Sequence, residues 1–305
     1  MRIYYGSSEL CIEKSAVALG DFDAIHKGHT EIINAAGKYA KENGLLWTVY
    51  MFSQRPNKSG KSINSLEKRL KILESMGVEA VVTEEFTQEY KNTECEEFVS
   101  EYIAKRLNAK AVFVGFNYRF GKNAKGNAES LKKLCESHKI ETFVSKCIEV
   151  DGVSVSSSEI RKLIENGETE SVKRFMGRYF SLCGEVVKGR QLGRTLGFPT
   201  ANTEFPDDTI IPPCGVYISR TKVGDNKYYS ITNVGEKPTV YDERKNIETA
   251  IGDFSRDIYG EKIEIEFIKK IRNIEKFHTL FELTNQLERD MEKSKEYFER
   301  MNRNE

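Results

Sequence analysis

A chain of 305 residues is long enough for two domains, and a hydrophobic fraction of 39% supplies apolar surface for two cores. The 47 basic and 47 acidic side chains cancel, which argues against a nucleic-acid binder and against a protein held on an acidic membrane. The six scattered cysteines form no C-x-x-C pair and no apolar run reaches membrane-spanning length, so we expect a soluble, cytoplasmic enzyme acting on a small molecule.

The first half of the chain alternates between short apolar strands and amphipathic helices. The predicted strands are 17–19, 45–52, 80–83, 111–115 and 141–144, and the predicted helices are 29–43, 66–76, 94–107 and 128–138. Such alternation predicts an α/β fold, with a parallel sheet covered by helices on both faces. In sheets of this kind a ligand binds beyond the carboxyl ends of the strands.

Half of the four histidines stand in one window, H-K-G-H at 26–29, between the first predicted strand and its helix. A helix N-terminus attracts phosphate through its free N–H groups and its dipole, and imidazoles can carry charge near neutral pH. The loop is therefore predicted to bind nucleotide phosphates, although two surface histidines at a helix start are the simpler alternative. The predicted residues are Gly20, Phe22, Asp23, His26, Gly28 and His29.

A second anion site is predicted where three serines precede a short helix at 156–158. Hydroxyls at a helix start are commonly plain N-caps, which is the alternative. Arg161 follows Ser158 by three residues and so lies on the same side of the first turn. Together with the histidine loop, this predicts that Ser157, Ser158 and Arg161 converge on a triphosphate. A second helical stretch covers 168–175, and we expect domains at 1–176 and 177–305.

From about residue 179 the chain is rich in strands and turns. Strand patterns at 216–219 and 248–254, and clean alternation at 262–267, predict a compact β-barrel. The final segment, of roughly 30 residues, regains helical periodicity. Its apolar residues are predicted on one face: Phe277, Leu280, Phe281, Leu287 and Met291.

A glycine-rich stretch at 189–202 holds the third candidate site. Its glycines indicate a loop where the backbone approaches something closely, and Pro199 stiffens the entry to Thr200. The hydroxyl of Thr200 and the amide oxygen of Asn202 are hard oxygen ligands, suited to Mg²⁺ carried by a nucleotide. A purely structural glycine turn is the alternative.

These motifs together resemble the family of prokaryotic bifunctional riboflavin kinase/FMN adenylyltransferases, also called FAD synthetases. The resemblance rests on the H-x-G-H loop, V-G-F-N-Y-R-F-G at 114–121, S-S-E-I-R at 157–161, G-R-T-L-G-F-P-T-A-N at 193–202 and the segment 253–260. It implies a Rossmann-like α/β parallel-sheet nucleotidyltransferase domain of the H-x-G-H type. It also implies a six-stranded β-barrel riboflavin kinase domain that ends in a helix.

The resemblance implies two reactions, in which riboflavin and ATP give FMN, and FMN and ATP give FAD and pyrophosphate. Both would require a divalent cation, expected to be Mg²⁺. The implied catalytic carboxylate is Glu248, which would take the proton from the ribityl 5′-hydroxyl, although an ordinary solvent-facing residue is the alternative. The implied ligands of ATP, of its metal or of the FMN phosphate are His26, His29, Asn117, Ser157, Ser158, Arg161, Gly193, Arg194, Thr195, Thr200 and Asn202.

Three positions depart from the family pattern, namely Ala24, Arg55 and Ala124. A methyl group at position 24 restricts the loop if that residue needs a positive φ, and a missing guanidinium at position 124 weakens phosphate binding. These departures leave two alternatives, a riboflavin kinase with a degenerate N-terminal domain and a non-catalytic flavin- or nucleotide-binding regulator. A cytidylyltransferase would explain the N-terminal half alone. The expected partners are riboflavin, FMN and ATP, without nucleic acid or membrane, and the oligomeric state is not predicted.

Overall fold

The computed structural model describes residues 1–6, 10–54, 61–189, 199–236 and 245–304. The chain divides into two compact units, Met1–Glu159 and Ile160–Glu305. The predicted boundary after residue 176 stays a prediction. No helix within the described ranges combines the length and apolar character needed to cross a membrane.

A six-stranded parallel sheet forms the centre of the first unit. Its strands are β1 (Arg2–Tyr5), β2 (Ser15–Leu19), β3 (Leu46–Phe52), β4 (Ala80–Glu84), β5 (Ala109–Gly115) and β6 (Glu141–Ser145). Their spatial order is β1-β4-β3-β2-β5-β6, and every neighbouring pair is parallel. The predicted parallel α/β fold is therefore confirmed.

Strand β2 shows why this sheet is covered on both faces. All five of its residues are buried. Val17 and Leu19 belong to the apolar cluster on one face, whereas Ala16 and Ala18 belong to the cluster on the other. Because successive side chains of a strand point to opposite faces, the continuous apolar run that predicted this strand is the signature of a central position.

The helices of the first unit lie close to their predicted positions. They are α1 (Lys27–Asn43), α2 (Leu66–Ser75), α3 (Gln88–Lys91), α4 (Cys95–Glu97) and α5 (Ala128–Ser137). The predicted helix at 94–107 begins as α4 and continues as a nine-residue π-helix, Phe98–Arg106. It ends with a bond from Leu107 N to Tyr102 O at 2.9 Å, the i to i+5 spacing of a π-helix.

Two antiparallel ribbons and two further helices complete the chain before the barrel. One ribbon pairs Arg119–Phe120 with Gly126–Asn127, and the other pairs Glu149–Val150 with Val153–Ser154. Helix α6 (Ser157–Glu165) contains the division between the two units, and α7 (Thr169–Met176) belongs to the second.

The second unit is a closed antiparallel barrel of six strands, as predicted. Its strands are β7 (Phe180–Val187), β8 (Thr200–Glu204), β9 (Gly215–Val223), β10 (Asn226–Glu236), β11 (Lys245–Ile251) and β12 (Lys262–Arg272), in the closed order β7-β8-β11-β10-β9-β12. Thr232 and Thr249 are fully buried and lie in contact, with their hydroxyl oxygens 2.9 Å apart. Glu248, the neighbour of Thr249, therefore lies on the outer face of the barrel.

The C-terminal helix α8 (Leu280–Asn304) is present, and its predicted apolar face is buried only in part, with Leu287 and Met291 half-buried. Phe277 precedes the helix, and the side chains of Leu280 and Phe281 are 63% and 74% exposed. Among the helix residues whose burial is described, the fully buried ones are Asp290 and Ser294. Polar contacts of these two residues hold this helix on the barrel, together with Tyr297 and Phe298, which pack against a cluster that contains Ile218 and Ile268.

These polar contacts are specific. Asp290 forms an ion pair with Arg272 of β12 at 2.8 Å, and the Ser294 hydroxyl donates to Ser230 O at 2.9 Å. A buried carboxylate is tolerated because it has a cationic partner and accepts a hydrogen bond from Gln286. The helical periodicity of the sequence predicts the element, but the apolar pattern does not single out Asp290 and Ser294 as its fully buried residues.

Candidate functional site

The H-x-G-H loop lies between the carboxyl end of β2 and the first turn of α1. His26 is the N-cap residue of α1, and its Nδ1 accepts a hydrogen bond from His29 N at 3.2 Å. Since Nδ1 accepts, the neutral imidazole of His26 carries its proton on Nε2. The two imidazoles are stacked, with centroids 3.6 Å apart, and Phe22 meets the His29 ring edge-on at 5.1 Å. Neighbouring rings and the helix cap therefore fix both imidazoles.

Backbone geometry answers the question raised by Ala24. The left-handed residues of this loop are Phe22 (φ 50°) and Ile25 (φ 42°), whereas Ala24 does not have a positive φ. The condition under which its methyl group would restrict the loop is therefore not met. Gly28 matters for space, because an added Cβ would lie 3.3 Å from two atoms of the His26 ring.

Asp23 is buried and joins this loop to the segment before α2. Its Oδ1 accepts from Ile63 N at 2.9 Å, and Asn64 Nδ2 donates to Asp23 O at 2.7 Å. The side chain is 1% exposed and does not line the cavity described next. The structure thus gives Asp23 a bracing contact, and a direct contact with phosphate stays a prediction.

A cavity of about 630 Å³ opens beyond the carboxyl ends of β2, β3 and β5, the edge at which the fold predicts a ligand. Four of the predicted residues line it: Gly20, Phe22, His29 and Asn117. Neither His26 nor Gly28 reaches its lining, but His26 contacts His29, and Gly28 leaves room for the His26 ring. Ala124 also lines the cavity, with a left-handed backbone (φ 54°), so the position that lacks a guanidinium faces this space.

One wall of this cavity is aromatic, and the sequence analysis missed it. Seven aromatic residues contribute, namely Tyr50, Phe52, Phe86, Tyr90, Phe98, Tyr118 and Phe120. The Phe52 ring meets Phe86 and Tyr90 edge-on, with centroids 5.0 and 5.1 Å away. No local signal was available, because the fold gathers these rings from separate strands, loops and the π-helix.

Two phenols of the wall are held together at their hydroxyl groups. Tyr50 Oη donates to Tyr90 Oη at 3.3 Å, and Glu84 Oε2 lies 3.4 Å from Tyr50 Oη. Burial raises the pKa of Tyr50 and the pKa of Tyr90 well above the usual value. Both phenols therefore stay protonated and can donate hydrogen bonds at neutral pH.

In the serine cluster at the start of α6, the residue that caps the helix is Ser156, and not Ser157 or Ser158. The hydroxyl of Ser156 accepts from Glu159 N at 3.2 Å, which leaves the Ser157 and Ser158 hydroxyls in the first turn of the helix. Neither of these two residues lines the 630 Å³ cavity. Arg161 lies on the same helix but belongs to the second unit, so the convergence of these groups on one anion stays a prediction.

In the second unit, register brings Thr200, Asn202 and Glu248 together on adjacent strands. Asn202 of β8 is directly opposite Glu248 of β11, and Thr200 lies two residues along the same face of β8. Glu248 Oε1 accepts a hydrogen bond from Asn246 Nδ2 at 2.8 Å. A hydroxyl, an amide oxygen and a carboxylate form a hard donor set of the kind that Mg²⁺ prefers, so the residues present fit this ion.

A second cavity, of about 230 Å³, lies beside this polar set. Thr200 lines it with Pro199, Phe254, Asp257 and Tyr259, whereas Asn202 and Glu248 do not. The predicted phosphate ligands Gly193, Arg194 and Thr195 lie outside the described residues, as does Arg55. The parts of the chain that the structure describes hold no cluster of three or more His, Cys, Asp or Glu residues able to bind a metal.

Comparison with known proteins covers both units. The family model for FAD synthetase matches residues 9–159, and the model for riboflavin kinase matches residues 176–298. The bifunctional riboflavin kinase/FMN adenylyltransferase of Bacillus subtilis is 35% identical, with 93% of each chain covered. The Escherichia coli protein of the same name is 29% identical, with 94% of this chain and 93% of that one covered.

One solved structure resembles the chain along nearly its whole length. It is described as a macrolide-efflux protein from Streptococcus pneumoniae, and it is 30% identical, with a TM-score of 0.89. The match covers 97% of this chain and 99% of that one. The two proteins therefore share the arrangement of an α/β unit followed by a barrel.

Proposed function

The chain belongs to the family of bifunctional riboflavin kinase/FMN adenylyltransferases, and from that premise we propose which of its side chains perform each reaction. The enzyme phosphorylates riboflavin to FMN with ATP, and it adenylylates FMN to FAD with release of pyrophosphate. The relatives of this name cover both units, so neither a lone kinase with a degenerate N-terminal domain nor a non-catalytic regulator is supported.

FAD synthesis is assigned to the 630 Å³ cavity of the first unit. A phosphate oxygen of FMN attacks the α-phosphorus of ATP and pyrophosphate leaves, so the protein supplies no nucleophile and acts by positioning and charge stabilisation. The single observation that supports this assignment is the stacked pair His26 and His29 at the N-terminus of α1, of which His29 lines the cavity. These imidazoles, together with the helix N-terminus, would donate to the ATP phosphates as charge develops.

The aromatic wall gives the same cavity a place for the flavin. The volume lies in the range of small-molecule sites, and aromatic faces and edges suit a flat, largely apolar ring system. We assign the isoalloxazine ring to the side formed by Phe52, Phe86 and Tyr90, and the phosphates to the side formed by Gly20 and His29.

FMN synthesis is assigned to the outer face of the barrel at Glu248. A primary alcohol is a poor nucleophile, and a carboxylate in contact with it can orient it and accept its proton. The bond from Asn246 fixes Glu248 for this role, and Thr200 and Asn202 are the residues that would hold Mg²⁺ with ATP. The ion, when bound, neutralises negative charge on the phosphates.

The location of the enzyme is also a proposal. The six cysteines, all within the described ranges, form no disulfide, which fits the reducing conditions of the cytoplasm. Riboflavin, FMN and ATP are the small molecules that the two sites accommodate, and the balanced charge gives no reason to expect nucleic acid or a membrane surface.

The test separates the two sites within one protein. The enzyme is incubated with ATP and Mg²⁺ and either riboflavin or FMN, and the flavins are separated by chromatography. We expect Glu248→Gln to abolish FMN formation and to leave FAD formation from supplied FMN, and His29→Ala to do the reverse. The matched controls Glu236→Gln and His138→Ala, both at exposed positions, should keep both activities.

Two outcomes would contradict the assignments. Wild-type enzyme that makes FMN but no FAD would refute the two-step function. A folded Glu248→Gln or His29→Ala variant that loses both activities would refute the division of the reactions between the two units.

A further inference from the structure

We propose that Arg69 is a positioning residue for FAD synthesis, which holds two loops of the nucleotide cavity in one fixed arrangement. The inference rests on the function proposed above. Arg69 lies on α2, a helix that contributes no residue to the lining of the cavity, and no sequence motif pointed to it. Its side chain nevertheless contacts the backbone on which the cavity is built.

The guanidinium of Arg69 donates to three backbone carbonyls. Nη1 donates to Phe52 O at 2.9 Å and to Asp21 O at 3.2 Å, and Nη2 donates to Ser53 O at 2.6 Å. The residue is 3% exposed, so these bonds are made away from water. These three carbonyl oxygens offset part of the cost of burying a permanently charged group.

The three carbonyls belong to two different parts of the site. Asp21 lies in the loop after β2, whereas Phe52 ends β3 and Ser53 follows it. Asp21 and Phe52 both line the cavity. Phe22, the next residue after Asp21, has a left-handed backbone and packs against His29. Arg69 therefore ties the phosphate side of the cavity to its aromatic side.

A second contact from the same region makes this arrangement rigid. Asn64, just before α2, donates to Asp23 O at 2.7 Å, and the Asp23 carboxylate accepts from Ile63 N. Ser65 caps α2 through a bond from Lys68 N to its hydroxyl at 3.3 Å. The start of α2 is thus attached to the loop between β2 and α1. Arg69 lies one turn further along α2 and contacts the same loop, so the position of its guanidinium relative to that loop is fixed.

The geometry requires arginine in particular. A guanidinium presents its donors in a planar fork, so one rigid group can meet carbonyls from two strands at once. A lysine ammonium at the same place has the charge and three donors, but all three start from one nitrogen, whereas the bonds of Arg69 start from both Nη1 and Nη2. Because adenylyl transfer depends on the alignment of two bound substrates, a displacement of about 1 Å in either loop lowers the rate about 100-fold.

The experiment compares Arg69→Met, Arg69→Lys and the control Lys71→Met in the full-length enzyme. Lys71 lies on the same helix, is 66% exposed and pairs with Glu67 at the surface. For each variant, kcat and KM for ATP are measured in FAD synthesis from FMN, and riboflavin phosphorylation is measured as the internal control. Trp47 is the single tryptophan of the chain and lies in the first unit, so its fluorescence during thermal unfolding reports whether that unit is folded.

We expect Arg69→Met to lower kcat/KM for ATP in FAD synthesis about 100-fold at temperatures where Trp47 fluorescence is native. Riboflavin phosphorylation should stay at the wild-type rate, Arg69→Lys should show a smaller loss, and Lys71→Met should show none. If Arg69 served stability alone, its variants would unfold at a lower temperature but would keep wild-type kcat and KM below that temperature.

The outcomes separate this inference from the proposed function. Wild-type enzyme that makes no FAD would refute the function itself. Wild-type enzyme that makes FAD, with a folded Arg69→Met variant that makes it equally well, would refute the positioning role alone. If Arg69→Met does not fold, Arg69→Lys decides the question, because wild-type kinetics from a folded lysine variant would show that the fork is not required.

Discussion

Replacing Gly189 with alanine should lower FMN synthesis about 100-fold and leave FAD synthesis intact. Gly189 follows β7 and lies against the side chain of Asn202, one of the residues assigned to Mg²⁺ and ATP. An added Cβ would lie 2.7 Å from Asn202 Oδ1, and the amide carbon and nitrogen would be closer still. Gly189 does not have a positive φ, so the effect of the substitution comes from space and not from backbone strain.

The size of the effect follows from these distances. The 2.7 Å approach is 0.7 Å shorter than the 3.4 Å at which ordinary contact begins, so the Asn202 amide has to move by more than this amount. Asn202 is 9% exposed and has little room to turn. A shift towards 1 Å in a group that positions ATP predicts a loss of about 100-fold in kcat/KM for riboflavin phosphorylation.

The assay measures both activities of Gly189→Ala with riboflavin and with FMN as the starting flavin. The matched control is Gly235→Ala, because the nearest described atom to a Cβ at that position, Asn233 Nδ2, is 3.8 Å away. The control should keep both activities. Wild-type FMN synthesis by a folded Gly189→Ala enzyme would refute the placement of Asn202 in the kinase site.

Two further predictions concern stability. Asp290→Ala leaves the guanidinium of Arg272 without its buried partner and should lower the free energy of unfolding by about 3–5 kcal/mol. The control Glu296→Ala removes an exposed ion pair and should lower the free energy of unfolding by at most about 0.5 kcal/mol. Equal losses in urea unfolding would contradict this reasoning. Burial raises the pKa of Tyr229 and the pKa of Tyr297 to about 12. Above about pH 10 the unfolded chain therefore releases phenolic protons that the folded chain keeps. The free energy of unfolding should consequently fall between about pH 10 and pH 12. Replacing both tyrosines with phenylalanine should reduce this alkaline loss, and an unchanged pH dependence of unfolding would show that these phenols do not cause it.

The sequence predicts those parts of the fold that local patterns determine. Strand β2 was recognisable because a central parallel strand is apolar on both faces. Strand β1 was missed because it lies at the edge of the sheet and three of its four residues are exposed. The apolar face predicted for α8 is buried only in part, because Leu280 and Phe281 are exposed, and the apolar pattern gave no sign of the buried Asp290 and Ser294.

The candidate sites show the same division. His26 and His29 are close in sequence and on one turn, so a motif located both. Glu248 is far from Asn202 in sequence, and only strand register places it opposite Asn202, so the resemblance to a family suggested what spacing did not. The rings of the aromatic wall have no common sequence pattern at all.

The chemistry explains why motifs pointed to the proposed donors of the first unit but not to the groups that hold them. In adenylyl transfer the phosphate of FMN is the nucleophile, so the protein contributes alignment and charge and needs no reactive side chain of its own. Alignment depends on how firmly the backbone of the cavity loops is held. Here Arg69 and Asp23 hold it through main-chain carbonyl and N–H groups, which nearly all residue types possess. Such contacts do not depend on the side chains of the residues that are held, so no sequence motif records them. Only the folded chain shows that α2, a helix outside the cavity, fixes the loops that form the cavity.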